Sequence, residues 1–397
     1  MTDQLPLSDV RVIETGSLIA GPFCGHLLAD FGADVIKVED PGSGDPMRTW
    51  GEMVDGHSLS WPILARGKRS VTCNLRTPAG QQILRDLVAE ADVLVENFRP
   101  GTLERWGLGP DELARLNPRL IVARVTGYGQ HGPYASRAGF GSIGEAMGGV
   151  RHVTGEPDQP SSRVGISLGD SLAGTFSALG VLTALHARTQ TGRGQVVDTA
   201  IYEAVLALME ATVPEWVVAG KERRRTGSIL PGVAPSNAYP TADGADVLIG
   251  ANRDTVFARL TEAMDRTDLL AGPLATHVGR GEAQHELDAL IADWTATQKA
   301  DELLETLHDA GVPAGKVYTA ADMVADPHFA AREALVTLAH PDLGEFPMQN
   351  VVPHLSDTPG AVRDVGPALG EHTDTVYADL LGADAAQLRR WRDLGVI

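Results

Sequence analysis

Hydrophobic and polar positions alternate between two periods along the first half of the chain. Val10-Arg-Val-Ile13 reads as a strand, Ala20 to Phe31 as a helix and Asp34-Val-Ile-Lys-Val-Glu39 as a second strand, which together make a βαβ unit. The pattern recurs: a helix over Pro78–Ala91 leads to strand Val93–Val95, a helix over Pro110–Asn117 leads to strand Leu120–Arg124, and Gly194–Ala200 is a further strand entering a helix. Strands separated by helices predict an α/β fold whose parallel sheet is covered on both faces. After Val218 the alternation stops, and a basic run (Lys221–Arg225) passes into a Gly/Pro/Ser-rich stretch. This divides the chain into a large domain over 1–218, a linker over 219–240, a smaller and largely helical domain over 241–325, and a segment over 326–397 that returns to the large domain.

Within that frame, Val164–Gly174 carries the sharpest chemistry. An extended apolar stretch runs into Asp170, and a long apolar helix is expected from Ser171 to Arg188. The positive end of that helix favours an ionised carboxylate, so Asp170 reads as an anionic nucleophile that needs no base. Two other readings use the same residues. Asp is a favoured N-cap, and Gly165-Ile-Ser-Leu-Gly169 fits the G-x-S-x-G elbow of serine hydrolases, with Ser167 as nucleophile.

Composition narrows the options. The 397 residues carry 33 Lys and Arg against 52 Asp and Glu, a net charge of −19 that repels nucleic-acid backbones and anionic lipid. The two cysteines, Cys24 and Cys73, lack a zinc-binding or redox spacing, which predicts a reducing, cytoplasmic setting. The opening Met-Thr-Asp-Gln-Leu-Pro-Leu has neither a basic nor an apolar leader segment, and no run of eighteen apolar residues occurs; neither secretion nor a membrane span is expected. Gly16-Ser-Leu-Ile-Ala-Gly-Pro22 is neither a dinucleotide fingerprint nor a phosphate loop, which leaves Glu39 as a plain strand-end residue. The histidines show no metal-ligand spacing. Arg66, Lys68, Arg69, Arg76, Arg99 and Arg105 fall in or beside loops of the sheet and suit a phosphorylated or adenylated ligand.

Several phrases, in order over nearly the whole chain, resemble one family. They are Gly-Ala-Asp-Val-Ile-Lys-Val-Glu39 with Pro-Gly-Ser-Gly-Asp45, Gly-Lys-Arg-Ser70 with Leu-Arg-Thr-Pro-Ala-Gly80, Val-Glu-Asn-Phe-Arg-Pro-Gly101, Gly-Tyr-Gly-Gln-His-Gly-Pro-Tyr134, Gly-Asp170 and Gly-Glu-His-Thr-Asp374. On these the chain resembles the class III CoA-transferases, also called the CaiB/BaiF family. The resemblance implies a Rossmann-like large domain, a smaller second domain and an interlocked homodimer. It puts Asp170 in the place of the catalytic aspartate, which takes the acyl group from an acyl-CoA as a mixed anhydride and then holds CoA as an aspartyl thioester before a carboxylic acid accepts it. It also implies a coenzyme A site lined by Ser17, Leu18, Ile19, Ala20, Cys73, Arg76, Asn97, Phe98 and Arg105, with no metal, and it puts Gly232–Asn237 where some members have a mobile glycine loop, here without consecutive glycines.

The chain departs from the family pattern at three positions. Asp40 stands where relatives often carry Arg, Gly141 replaces a common acidic residue, for which Glu145 is a candidate substitute, and Phe140 replaces the histidine of the 2-methylacyl-CoA racemases. A phenyl ring moves no proton, so transfer is favoured over racemisation. Gly-Phe-Gly-Ser-Ile-Gly-Glu-Ala-Met147 resembles members acting on short dicarboxylates, which makes acids such as succinate, malate or citramalate the expected partners. The alternatives are a serine-type acyl-CoA hydrolase using Ser167 and a non-catalytic CoA-binding paralogue, the latter suggested by Asp40 and Gly141.

Overall fold

The computed structural model describes residues 5–397; residues 1–4, which open both the large domain and the leader-free N-terminus of the sequence reading, lie outside the described residues. The chain divides into two compact units, one made of 1–150, 164–214 and 330–397, the other of 151–163 and 215–329.

The first unit is built on strands β1 (Arg11–Glu14), β2 (Asp34–Glu39), β3 (Lys68–Thr72), β4 (Val93–Glu96), β5 (Ile121–Thr126) and β6 (Val196–Ala200). They form one six-stranded sheet in the order β3-β2-β1-β4-β5-β6, and every pairing is parallel. Helices α1 (Ala20–Asp30), α2 (Pro78–Ala89) and α3 (Pro110–Leu116) connect successive strands, and α4 (Gly141–Met147), α5 (Leu168–Thr191) and α6 (Ile201–Leu206) follow. One buried cluster joins Ile13, Ile36, Val71 and Leu94 to Ile83, Leu84 and Leu87 of α2. A second joins Val12, Val35 and Val93 to Leu28 of α1 and Ala178, Val181 and Ala184 of α5. Both faces of the sheet are therefore covered, as its apolar strands require.

Helix α5 begins three residues earlier than its sequence pattern predicts. Its buried positions, Gly169, Ala173, Gly174, Ser177, Ala178, Val181 and Ala184, form a stripe of small residues at helical spacing. This stripe lets α1 approach closely: a Cβ at Gly174 would lie 2.8 Å from the Ala20 carbonyl oxygen. By length and composition α5 is also apolar enough to cross a membrane; here it packs on α1 and the sheet.

The return segment supplies the hairpin β10 (Leu335–His340) and β11 (Gly344–Gln349) and helices α10 (Thr373–Leu381) and α11 (Ala385–Asp393). Gly370-Glu-His-Thr-Asp374, one of the family-like phrases, fastens this segment to β3: the Gly370 amide donates to Ser70 Oγ at 2.9 Å and the His372 amide to the Ser70 carbonyl at 2.9 Å.

In the second unit β7 (Ser236–Pro240), β8 (Asp246–Gly250) and β9 (Ala314–Lys316) form an antiparallel sheet. It packs with α7 (Asp254–Ala263), α8 (Gln284–Thr295) and α9 (Ala300–Asp309) around Tyr239, Phe257, Leu260, Leu287 and Leu303. Residues 236–240, assigned from composition to the linker, are thus a sheet strand. Their alternating side chains are too polar to stand out from the turn-rich stretch before them.

Candidate active site

The strand order places a crevice outside the carboxyl ends of β1 and β4, where successive connections leave the sheet in opposite directions; open α/β sheets bind ligands there. A cavity of about 400 Å³ lies in this position. Its walls come from the segments after four neighbouring strands: Thr15, Gly16 and Ser17 after β1, Asp40 and Ser43–Pro46 after β2, Cys73, Leu75 and Arg76 after β3, and Phe98, Thr102 and Trp106 after β4.

The turn after β1 is held by side chains rather than by its own sequence. Asn97 bonds both sides of Ser17, accepting from its amide at 2.9 Å and donating to its carbonyl at 2.7 Å. Leu18 adopts a left-handed backbone, φ 62°, which costs a non-glycine residue about 1 kcal/mol or more. Its amide donates to Asp45 Oδ1 at 3.1 Å, and the Lys37 ammonium donates to the Gly16 carbonyl at 2.8 Å. Together these bonds fix a conformation the chain would otherwise avoid.

Lys37 is one node of a buried ion network. It meets Glu14 at 3.1 Å and Asp45 at 2.7 Å, and Lys68 meets the other Glu14 oxygen at 2.8 Å. Burial opposes a charge on Lys37, but the carboxylates of Glu14, Asp45 and Glu39 outweigh it and raise its pKa. Lys68 moves the other way: burial and the Lys37 charge exceed the pull of Glu14 and lower it. Glu39, read from sequence as a plain strand end, is a buried cavity residue that accepts from Arg48 Nε and Nη2, each at 2.8 Å, and from Ser70 at 2.6 Å. Burial pushes its carboxyl up, and Arg48, Lys37 and Ser70 more than reverse this, leaving it below the usual range.

The structure brings some predicted ligand residues together and not others. Ser17, Cys73, Arg76 and Phe98 line the cavity, and Asn97 braces it. Arg105 is exposed just beyond, donating to Thr102 of the wall at 2.9 Å. Leu18 and Ile19 pack instead with Met47, Trp61 and Leu64, and Ala20 is buried with Ala173 and Ile201; any contribution of these three to a ligand runs through the backbone. Cys73 is a wall rather than a reagent, since burial pushes its thiol up to about 12. Arg76 pairs with Asp40 at 2.7 Å, so the departure at position 40 engages the guanidinium expected at the phosphates.

The expected basic cluster is largely absent as a surface: Arg66 is buried against Asp30, Lys68 against Glu14, and Arg69 pairs with Asp34. Sequence alone gave these cations no partners, because the matching carboxylates lie on other strands and helices. Lys37 and Asp45 went unnoticed for the same reason. The one available signal was a lysine inside the apolar run Val35–Val38.

Asp170 sits in the first turn of α5, where Ser167 is the N-cap and contributes no side-chain bond. The capping reading of Asp170 is thereby corrected. The serine elbow is also not formed: no strand precedes Ser167 and its φ is −82°, not the strained turn such a nucleophile occupies. The Asp170 carboxylate lies against Gly141 at the start of α4, so closely that a Cβ there would be 2.2 Å from Oδ2. Glu145, one turn further along α4, is 1 % exposed and accepts the Gly169 amide at 3.2 Å. It therefore serves the helix end rather than standing as a second open carboxylate. Phe140 is 66 % exposed.

The Gly232–Asn237 loop belongs to the second unit and is tied within it: the Gly232 amide donates to Gln284 at 3.2 Å, Arg280 donates to the Ala234 carbonyl at 3.2 Å and Asn237 to Asp288 at 3.1 Å.

The first unit is thus a Rossmann-like parallel α/β sheet with a cavity at its topological switch point, where open α/β sheets bind ligands. The family model of CoA-transferase family III matches residues 7–373, and the chain belongs to that family. It is similar to the succinyl-CoA–D-citramalate CoA-transferase of Chloroflexus aurantiacus, 60 % identical over 95 % of this chain and 94 % of that one. The beta subunit of succinyl-CoA–L-malate CoA-transferase from the same organism is 43 % identical over 100 % and 99 %. Among solved structures, a CaiB/BaiF family protein from Brucella suis superposes with a TM-score of 0.85 at 36 % identity, covering 95 % of this chain and 100 % of that one. The protein is thus a CoA-transferase that moves CoA between an acyl thioester and a carboxylic acid, with CoA thioesters as its substrates.

Proposed function

We propose that the enzyme transfers CoA from succinyl-CoA to a short dicarboxylic acid of the citramalate or malate type, with Asp170 as the covalent nucleophile. The observation that carries this reading is the position of the Asp170 carboxylate, in the first turn of α5 and against the open face of Gly141. The substrate class is supported by relatives named for citramalate, malate and glutarate transfer.

The steps balance without an added reagent. A carboxylate oxygen of Asp170 attacks the thioester carbonyl, the C–S bond breaks, and CoA leaves as thiolate with a mixed anhydride in place. The thiolate then attacks the aspartyl carbon, releasing the donor acid and leaving CoA on Asp170. An acceptor carboxylate repeats the sequence in reverse and restores the free side chain. Each thioester replaces another, so the exchange is nearly isoenergetic and requires neither ATP nor a metal. Water is the competing nucleophile, so the anhydride must be shielded. Ser17, Cys73, Arg76, Asn97, Phe98 and Arg105 would hold CoA, with the Leu18–Ala20 backbone beside them.

The enzyme would work as a homodimer. Large apolar side chains stand exposed on the first unit, Leu179 at 57 %, Leu208 at 55 % and Val213 at 54 %, and on the second, Trp216 at 62 % and Val218 at 85 %. These exposed side chains support the reading that a second copy covers them. Two free, buried cysteines suit a cytoplasmic setting.

The deciding experiment incubates the protein with succinyl-CoA and a panel of mono- and dicarboxylic acids and weighs the products. The expected result is a new thioester with a dicarboxylate, together with a hydroxylamine-sensitive adduct on Asp170. An adduct on Ser167, or release of free CoA without a new thioester, would overturn the reading. Light scattering coupled to size exclusion should return twice the chain mass.

A further inference from the structure

We infer that Glu145 and Gly141, one turn apart on α4, are positioning residues that set the Asp170 carboxylate for attack, Glu145 by holding the helix turn that carries it and Gly141 by leaving the space it occupies. The inference rests on Asp170 being the nucleophile.

Residues i and i+4 share one face of a helix, and here that face meets the first turn of α5. A Cβ at Gly169 would lie 3.0 Å from the Glu145 side chain and 3.1 Å from the Gly141 carbonyl oxygen. An N-cap side chain normally accepts the amide at the second or third position of its helix. Ser167 makes no such bond, and the Gly169 amide, at the second position, is taken by Glu145 Oε1 at 3.2 Å. The capping oxygen of α5 therefore comes from α4, from a side chain 1 % exposed. Gly169 directly precedes Asp170, so this bond fixes the backbone from which the nucleophile projects.

Gly141 acts on the other end of the same side chain. A methyl group there would lie 2.2 Å from Oδ2 and 3.0 Å from Oδ1 of Asp170. The atoms in the way are the tip of a rotatable side chain, so the simplest relief is for the carboxylate to swing aside while the fold stays intact. Misplacing a reacting group by about 1 Å costs roughly 100-fold in rate. Neither Gly141 nor Glu145 lines the cavity after β1–β4, so thioester binding should be spared.

The test compares Gly141→Ala, Glu145→Ala and Glu145→Gln in the full-length protein, measuring kcat, KM for succinyl-CoA and the single-turnover rate of the Asp170 adduct by intact mass. The two alanine variants should lose about 50-fold or more in kcat and adduct formation, with KM within about threefold. Glu145→Gln keeps an acceptor oxygen for the Gly169 amide and should recover to within about fivefold of wild type, the scale of one hydrogen bond. Wild-type rates in Gly141→Ala or Glu145→Ala would overturn the inference, as would a glutamine variant as slow as the alanine one. If Glu145→Ala does not fold, Gly141→Ala and Glu145→Gln decide between the same outcomes. Asp170→Ala, run alongside, separates the two levels: transfer that survives it removes the nucleophile itself, whereas its loss alongside unimpaired Gly141→Ala removes only the positioning role.

Discussion

The cavity at the strand ends and the Asp170 turn are built in opposite ways. The cavity is fixed by buried charge: Lys37, Asp45 and Glu39 of its lining interlock with Glu14 and Arg48 and hold a left-handed Leu18 in place. The Asp170 turn is fixed largely by missing atoms, with Gly141 and Gly169 making room for a carboxylate and for a helix end. A long ligand with many contacts tolerates a rigid, pre-formed cradle. A side chain proposed to bond covalently to its substrate needs space beside it, which glycine provides without adding groups that would attack an anhydride.

That contrast can be broken at either end. The largest effect is expected from Asp170→Asn, which should reduce CoA exchange by roughly a thousandfold or more by removing the nucleophile, while CoA binding, measured by calorimetry, stays near wild type. Lys37→Met attacks the other end and should appear in folding rather than chemistry. It removes the cation from the buried Asp45 carboxylate and leaves Glu14 to Lys68 alone, and should cost about 3–5 kcal/mol in urea unfolding; a loss under 1 kcal/mol would mean that the network does not hold the cavity floor. Asn97→Ala removes both bonds to Ser17 and should raise KM for the acyl-CoA roughly 5- to 30-fold, equivalent to about 1–2 kcal/mol, with kcat unchanged.

A smaller effect follows from Glu39. Its pKa is depressed in the fold, so its stabilising contribution is present at neutral pH and is lost as pH falls through the folded value. The stability gap between wild type and Glu39→Gln should therefore be widest near pH 7 and narrow below about pH 4; a gap that widens in acid would reverse the assigned sign. Ser167→Ala should leave turnover within about twofold, because its hydroxyl makes no capping bond.

Local periodicity made the strand and helix order legible, since Val10–Glu39 and its repeats need only neighbours in sequence to declare their type. The grouping of Arg76 and Phe98 with the bracing Asn97 was legible through short ordered phrases, and that of Ser17 and Cys73 through their positions relative to the family pattern. The basic loop cluster was misjudged. A lysine or arginine reads the same in sequence whether it faces solvent or, like Lys68 and Arg66, meets a carboxylate on a distant element. The start of α5 was misplaced because glycine and serine are weak helix formers. Tertiary packing on α1 and the capping oxygen of Glu145 override that preference.

The order of apolar and polar residues by itself determined the parallel sheet, its helical cover and the candidate nucleophile, because each depends on spacing within one segment. Which charges pair, where α5 begins, why position 141 is glycine and where the cavity opens were decided only by the tertiary structure. Those properties are distances between segments far apart in the chain, and a hydrogen bond or a steric contact has no existence until both partners are in place.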